Sequence, residues 1–410
     1  MMAKIKIYLF LLVAGLVSFT SCEKSDSDSQ VKFFINPANC FMVPEPGLYA
    51  FQAVKGKTTE SVGAVAKAEV LWESFGTHTK PNVGDIVADA YYQDGLIYFL
   101  TPSSLNDGNA VIAAKDAAGN ILWSWHIWVC KGWDATATAQ TYYNKSNGIA
   151  SFGAVMDRNL GATSATVNDI KSHGLLYQWG RKDPFLGWDG YNAAGHTPAA
   201  STLKWPDPVH IDAETGTIEY AIAHPTTVLY PGQSSSNVDW YFTNQHNVTD
   251  NMRWNERLNL YDPCPAGWTL PEARTTNKQG LWYNALENNW NIVFEYWDPT
   301  ILGVNMGKYL GDYDTIWYPQ ASLYNYVDGK LYRTRQVYIW SRNVSPAEDD
   351  GLPFKLGDGG SGGFDPDPYT MDVTAYTMYC GENVQNHTEA WAATHCFRAL
   401  ALPTRCVAIK

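Results

Sequence analysis

The sequence predicts a mainly β protein with an α+β part. Aromatic residues make up 14% of the 410 residues, including 17 Trp and 25 Tyr, and these residue types favour strands. Short strand-like runs recur between turn-forming Gly, Asn and Asp residues. Charged residues are 17% of the chain, against about 25% in an ordinary globular protein, which excludes a long coiled coil and a largely disordered chain.

The first residues have the form of a secretory signal. Lys4 and Lys6 precede an apolar run over residues 7–17, and small polar residues then lead to Cys22. The apolar run is too short to span about 30 Å of hydrocarbon as a helix. The small residues before Cys22 resemble a bacterial lipobox, which predicts a signal peptide over residues 1–21 and a lipid on Cys22. The alternative is an ordinary signal peptide that is cut near the same point.

The next segments are a tether and a first folded region. Residues 22–30 are polar and acidic, which predicts a flexible tether. Six strand-like runs between residues 31 and 133 predict an immunoglobulin-like β-sandwich. The last run, residues 121–129, alternates between an apolar face and a mixed face, and we expect the mixed face to border a second domain. That mixed face contains Leu122, Ser124, His126, Trp128 and Cys130.

A second folded region is expected over residues 149–410, after an Ala/Thr/Asn/Gly-rich linker at 134–148. Residues 174–184 favour a short helix that ends before Pro184. Residues 185–258 are rich in Pro, Gly, Asn, His and Trp and show little periodicity. They are therefore predicted to be a long irregular insertion, and such segments are more often functional or mobile than structural.

Five short motifs in the second region resemble the Fibrobacter succinogenes major paralogous domain family. The motifs are Tyr177–Phe185, Asp262–Trp268, Leu270–Pro271, Trp340–Ser341 and Arg405–Val407. The resemblance covers residues 149–410, with the insertion largely unmatched, and it implies a C-type-lectin-like α+β domain. It also implies a lipoprotein of the kind abundant in Bacteroidetes, held in the outer membrane by its lipid and exposed at the cell surface. Residues 119–128 are similar to modules that precede this domain in Bacteroides surface proteins.

The cysteine content agrees with export. Seven cysteines are present, and lipidation of Cys22 would leave six, which allow 15 pairings. Cys40 and Cys130, near the two ends of the sandwich, are the natural pair within that unit. By the resemblance to lectin-like domains, Cys264 pairs with Cys406 and Cys380 with Cys396.

Charge and motifs exclude several classes of function. The net charge is −12 and no run of Lys or Arg follows the signal, so nucleic acid is not an expected partner. Residues 359–363 fit the G-x-S-x-G hydrolase motif, but prolines close on both sides prevent the strand-to-helix elbow that this chemistry needs. The sequence therefore predicts a protein that is not an enzyme.

Candidate ligand-binding residues lie in two loops. Trp188, Trp205 and Trp240 of the insertion are expected to contact a ligand, since aromatic faces stack on the C–H faces of sugars. The alternative is that these rings pack under their own loops. Asp358, Asp365 and Asp367 form a candidate calcium loop, because calcium prefers clustered oxygen ligands. A solvated acidic loop is the alternative, and no other cofactor is expected.

The sequence therefore predicts a recognition or adhesion protein, anchored to the outer membrane, that binds a glycan or a protein through the lectin-like domain. One alternative is a structural or accessory subunit of a surface assembly such as a fimbria. A secreted hydrolase is the third hypothesis. Exposed aromatic side chains around a binding surface would favour recognition, and self-association would favour the structural alternative.

Overall fold

The structure is a computed structural model, and the chain from residue 31 to residue 410 forms one compact unit. The described residues are 30–143, 150–189, 197–232, 239–242, 253–254, 258–272, 280–282, 297–298, 303–307, 313–320, 322–334, 336–344, 374–382 and 388–409. Within these ranges the protein is mainly β, as the sequence predicts. The same ranges contain no helix that is long and apolar enough to cross a membrane.

Eight strands build the N-terminal part. They are β1 Lys32–Phe34, β2 Cys40–Val43, β3 Leu48–Gln52, β4 Lys67–Ser74, β5 Asp89–Gln93, β6 Leu96–Leu100, β7 Gly108–Lys115 and β8 Ile121–Val129. One sheet has the order β1-β3-β6-β5 and the other has the order β2-β8-β7-β4. The β1–β3 and β2–β8 pairs are parallel, and the other pairs are antiparallel.

The two sheets pack face to face around an aromatic core. The rings of Phe41 and Phe51, from opposite sheets, have centroids 4.2 Å apart, and Phe51 meets Trp125 edge-on at 5.1 Å. Along β6 the buried residues Ile97 and Phe99 alternate with less buried ones, as a half-buried strand requires. These contacts make the N-terminal part a β-sandwich.

The outer face of the second sheet is covered by the C-terminal part of the chain. Trp128 Nε1 donates to the carbonyl of Ala162 at 3.1 Å, and Asn109 Nδ2 donates to the carbonyl of Gly161 at 2.9 Å. Trp72 and Trp128 of this face share one buried core with residues of the C-terminal part. The mixed face of residues 122–130, which the sequence predicts to border a second domain, therefore packs against the C-terminal part of the chain within the same compact unit.

The remaining strands are short. They are β9 Gln140–Tyr143, β10 Ala150–Val155, β11 Leu175–Gln178, β12 Phe185–Leu186, β13 Val209–His210, β14 Leu229–Tyr230, β15 Trp268–Thr269, β16 Trp297–Asp298, β17 Gly303–Asn305, β18 Trp317–Pro319, β19 Ser322–Tyr324, β20 Leu331–Arg333, β21 Gln336–Val344, β22 Thr374–Glu382, β23 Thr388–Phe397, β24 Ala401–Pro403 and β25 Val407–Ala408. The described helices are α1 Ile218–Ala223 and α2 Leu258–Tyr261, with a 3-10 turn at Ile170–Ser172.

These strands form five further sheets, with the orders β15-β25-β10-β9, β12-β11-β24-β19-β20, β13-β14, β16-β17-β18 and β21-β22-β23. Strand β9 lies inside the segment that the sequence predicts as a linker, and it pairs with β10. The expectation of a helix over residues 174–184 is wrong, because Leu175–Gln178 forms a central strand that is buried on both faces. A short apolar run of this kind does not distinguish a buried strand from a buried helix.

Candidate functional site

The three tryptophans that the sequence assigns to ligand contact are packed against other parts of the protein. Trp240 is 1% exposed, and its Nε1 donates to the carbonyl of Trp179 at 2.7 Å. Trp188 is 4% exposed. Trp205 is half-buried and donates from Nε1 to Ser201 Oγ at 2.9 Å. This placement fits the alternative expectation that the rings pack under their own loops, and it does not support them as ligand contacts.

Other predicted sites lie outside the described residues. These are the lipidated Cys22 and the candidate calcium loop of Asp358, Asp365 and Asp367. Among the residues that are described, no group of three or more His, Cys, Asp or Glu side chains is arranged to hold a metal ion.

One predicted disulfide is confirmed. Cys264 and Cys406 are bonded, with their Cα atoms 6.0 Å apart and a sequence separation of 142. Because Cys406 precedes β25 and Cys264 precedes β15, the bond lies beside the pairing of these two strands. It therefore fixes the C-terminus to the middle of the chain.

The predicted bond between Cys40 and Cys130 is wrong. Both side chains are buried free thiols. In the parallel β2–β8 pair, Cys40 lies opposite His126, so Cys130 is displaced by four residues along β8. That displacement is roughly 13 Å at the usual strand rise, and a disulfide needs Cα atoms within about 7 Å. The positions of Cys40 and Cys130 near the two ends of the sandwich sequence did not predict the register of the β2–β8 pair.

The predicted bond between Cys380 and Cys396 is wrong for the same reason. In the β22–β23 hairpin, Cys380 lies opposite Ala390 and Cys396 lies opposite Ala375. The two cysteines are therefore offset by five residues, or roughly 17 Å along the strands. Cys396 is a buried free thiol.

A thiol, an imidazole and an amide form a line that the sequence did not reveal. Cys40 Sγ lies 3.3 Å from His126 Nδ1, and His126 Nε2 lies 2.8 Å from Asn109 Oδ1. Because Asn109 uses its NH₂ group to donate to the carbonyl of Gly161, its oxygen faces His126 and accepts from Nε2. Nδ1 of His126 is then the acceptor, and the Cys40 thiol donates to it.

This line has the composition of a cysteine-hydrolase triad but not its chemistry. A nucleophilic cysteine is a thiolate beside a protonated histidine and is reachable by substrate. Here burial raises the pKa of Cys40 well above its usual value and lowers the pKa of His126 to about 3. Both groups are therefore neutral near pH 7, and both are buried. The line joins the second sheet of the sandwich to the C-terminal part.

A buried ion pair makes a second joint between the two parts. Lys182 Nζ donates to Asp183 Oδ1 at 2.6 Å and to Ser124 Oγ at 2.6 Å, and Ser124 Oγ donates to Asp183 Oδ1 at 2.5 Å. Lys182 Nζ also donates to the carbonyl of Ser124 at 3.1 Å, so all three of its N–H bonds are used and no lone pair is left to act as a base toward Ser124. The arrangement therefore stabilises the joint and does not activate the serine.

The outer face of the first sheet carries a row of aromatic side chains. The pairing register places Phe33 of β1, Ala50 of β3, Tyr98 of β6 and Tyr91 of β5 side by side across all four strands. Phe33 is 59% exposed and Tyr91 is 39% exposed. We call these four residues the aromatic row, and at the usual strand spacing it is roughly 14 Å long.

The turn between β5 and β6 sets this alignment. Asp94 and Gly95 have φ values of 49° and 84°, as the two central residues of a type I′ hairpin turn require. A two-residue turn at this position places Tyr91 opposite Tyr98. The register therefore follows from the Asp-Gly turn in the sequence, although nothing in the sequence identified which outer face stays uncovered.

Polar side chains border the aromatic row on the same face. On β5, Asp89 and Gln93 lie on either side of Tyr91, and Gln52 of β3 lies next to the position of Ala50. Exposed Leu100 adds apolar area. The face therefore combines flat apolar rings with amide and carboxylate groups and carries a single formal charge within β3, β5 and β6.

No protein-family model, curated protein or solved structure matches this chain. The site is therefore interpreted from its own geometry. The aromatic row is the candidate ligand-binding surface that the described residues present.

Proposed function

We propose that the protein is a surface-anchored recognition protein, without enzymatic activity, that binds a neutral glycan on the aromatic row. The observation that carries this proposal is the line of Phe33, Tyr98 and Tyr91, with Phe33 and Tyr91 exposed and Tyr98 half-buried, on a sheet face whose one formal charge within β3, β5 and β6 is Asp89. Exposed apolar patches of this kind on a folded domain commonly mark a binding surface.

The chemistry of the row favours sugar over other ligands. The ring of Phe33 and the face of the Tyr91 ring that is turned away from Tyr98 can cover the C–H face of a pyranose and bury apolar area, and the phenol oxygens of Tyr91 and Tyr98 remain able to bond hydroxyl groups. Gln52, Gln93 and Asp89 add donors and acceptors at the border. With Asp89 as its one formal charge, the face offers no cation for a phosphate or an acidic ligand.

The absence of enzymatic activity is supported by the two polar clusters described above. In both, the groups that resemble a nucleophile and its base are buried, and their hydrogen bonds or pKa values oppose activation. Both clusters therefore have a stabilising role in this proposal.

We also propose the finer fold assignments that the sequence suggests. The two sheet orders, with the first strands divided between the sheets and β2 parallel to β8, support an immunoglobulin-like sandwich. The disulfide that joins Cys264 to Cys406, next to the final strand, supports a C-type-lectin-like fold for the C-terminal part. The family resemblance of residues 149–410 belongs to the same proposal.

Membrane attachment through Cys22 remains a part of the proposal. A diacylglycerol on Cys22 would anchor the chain stably, because two acyl chains bind a bilayer far more strongly than one. Metabolic labelling with a palmitate analogue is expected to mark the wild-type protein and not Cys22→Ser. Unlabelled wild-type protein would contradict the anchor and leave the glycan proposal intact.

A glycan array tests the binding proposal. Residues 31–410 form one compact unit, so this fragment is suitable as the probe. We expect the wild-type fragment to bind neutral oligosaccharides on the array and the Tyr91→Ala/Tyr98→Ala variant not to bind them. Concentration-dependent self-association that the same pair of substitutions abolishes would instead favour a structural subunit.

A further inference from the structure

A second, smaller site lies beside the loop that follows β11. It is a cleft with an empty volume of about 250 Å³, part of it open to solvent. Arg181, Lys182 and Asp183 line it from the loop, Ile218 and Ile222 line it from α1, and Trp240 closes another side. The cleft is therefore mostly apolar, with charged groups on one wall.

The guanidinium group of Arg181 is buried against neutral partners. Its Nη1 donates to Gln178 Oε1 at 2.9 Å and to the carbonyl of Thr227 at 2.8 Å. Its Nη2 donates to the carbonyls of Ala221 and His224 at 3.3 and 3.2 Å. These carbonyls lie at the end of α1, where a cation is favourable. All four acceptors carry no formal charge.

The nearest acid does not neutralise Arg181. Asp183 raises the pKa of Arg181, but burial outweighs it and lowers that pKa to about 10. The carboxylate of Asp183 accepts from Lys182 and Ser124 instead. Nε of Arg181 is buried and has no hydrogen-bond partner. Burying a cation that has no ion-pair partner and one unused N–H donor is energetically costly. A ligand that supplies a negative charge and accepts that hydrogen bond would remove the cost.

We propose that this cleft binds a small aliphatic carboxylate, with one carboxylate oxygen on Arg181 Nε and the alkyl group against Ile218, Ile222 and Trp240. The single free donor matches one oxygen, and the apolar wall matches a short hydrocarbon tail. None of the residues that line the cleft belongs to the aromatic row, so this site is separate from it. A free acid and the carboxylate tip of a larger molecule would present the same chemistry.

Ligand titrations of fragment 31–410 distinguish these sources. Acetate and propionate are expected to raise the melting temperature saturably and to change Trp fluorescence, whereas acetamide, which has the same shape without the charge, has no effect. Glucuronate tests the carboxylate of a larger molecule, and chloride tests a simple anion. Chloride binding as tight as acetate binding, or acetamide binding as tight as acetate binding, would overturn the assignment.

Substitutions locate the site. Ile222→Trp fills the cleft without removing an Arg181 contact and is expected to weaken acetate binding by about tenfold or more. Val83→Trp, at a position that is 85% exposed and outside the cleft, is the matched control. Unchanged acetate affinity in folded Ile222→Trp would overturn the proposal.

Discussion

The rings of Tyr91 and Tyr98 stack with centroids 5.0 Å apart and 4° between their planes. The pair links the edge strand β5 to β6 on the outer face of the first sheet. Because the rings are already ordered against one another, a ligand that covers them loses little side-chain entropy on binding. Stacked tyrosines of this kind form a rigid contact surface on the sandwich.

The first prediction concerns the disulfide. Replacing Cys264 and Cys406 together by Ala should lower the free energy of unfolding by about 4 to 5 kcal/mol, because the bond closes a loop of 142 residues in the unfolded chain. Denaturant unfolding with and without a reductant measures this difference. Cys396→Ala is the control. Because Cys396 forms no disulfide, reductant should lower the stability of this variant by the same amount as it lowers that of the wild type. A wild-type midpoint that reductant leaves unchanged would contradict the account.

The second prediction concerns pH. Burial lowers the pKa of His126 to about 3, from an ordinary value of 6.5 that the unfolded chain retains. Between these values the unfolded state binds the extra proton, so the free energy of unfolding falls as pH is lowered from 6.5 to 3, by about 4 to 5 kcal/mol in total. His173, whose pKa is lowered to about 4, acts in the same direction.

The His126→Gln variant separates this contribution from that of the carboxylates. Urea unfolding at several pH values from 4 to 7 should give a shallower dependence for His126→Gln than for the wild type. The two slopes would be equal if His126 were solvated in the folded protein.

The third prediction concerns a buried ion pair in the C-terminal part. Asp239 forms an ion pair with Arg253, and Arg398 Nη1 lies 3.8 Å from the same carboxylate. All three side chains are fully buried. Asp239→Asn should therefore lower the free energy of unfolding by about 3 to 5 kcal/mol, because it removes a buried negative charge that lies beside two buried guanidinium groups. Glu60→Gln in the exposed Lys55–Glu60 pair is the control, and its melting temperature should hardly change. Equal effects of the two substitutions would contradict the burial argument.

Local patterns in the sequence predicted the sandwich well. Alternation along residues 121–129 separated the core face of Trp123 and Trp125 from the mixed face of His126 and Trp128, and both assignments agree with the structure. The mainly β class followed from the aromatic content and from the strand-like runs between turn-forming residues. The turn at Asp94-Gly95 contained enough information to align Tyr91 with Tyr98.

Pairings between distant segments could not be predicted in the same way. The Cys40–Cys130 prediction used the position of each residue in the chain, whereas the strand register decides the distance. The tryptophans of the insertion were assigned to a surface because their segment lacks periodicity. In the structure Trp240 is instead held by Trp179 and lies over Arg253, at 4.5 Å from the guanidinium to the ring centroid. Such contacts depend on tertiary packing that local composition does not encode.

The central claim is that the aromatic row binds a neutral glycan. Its most direct test is isothermal titration of the neutral oligosaccharide found on the array into the wild-type fragment, Tyr91→Ala/Tyr98→Ala and the exposed control Val83→Ala. The account predicts that the double variant binds at least about tenfold more weakly. It also predicts that the melting temperature stays close to that of the wild type and that the control binds normally. Equal affinity in the wild type and the double variant would contradict the account.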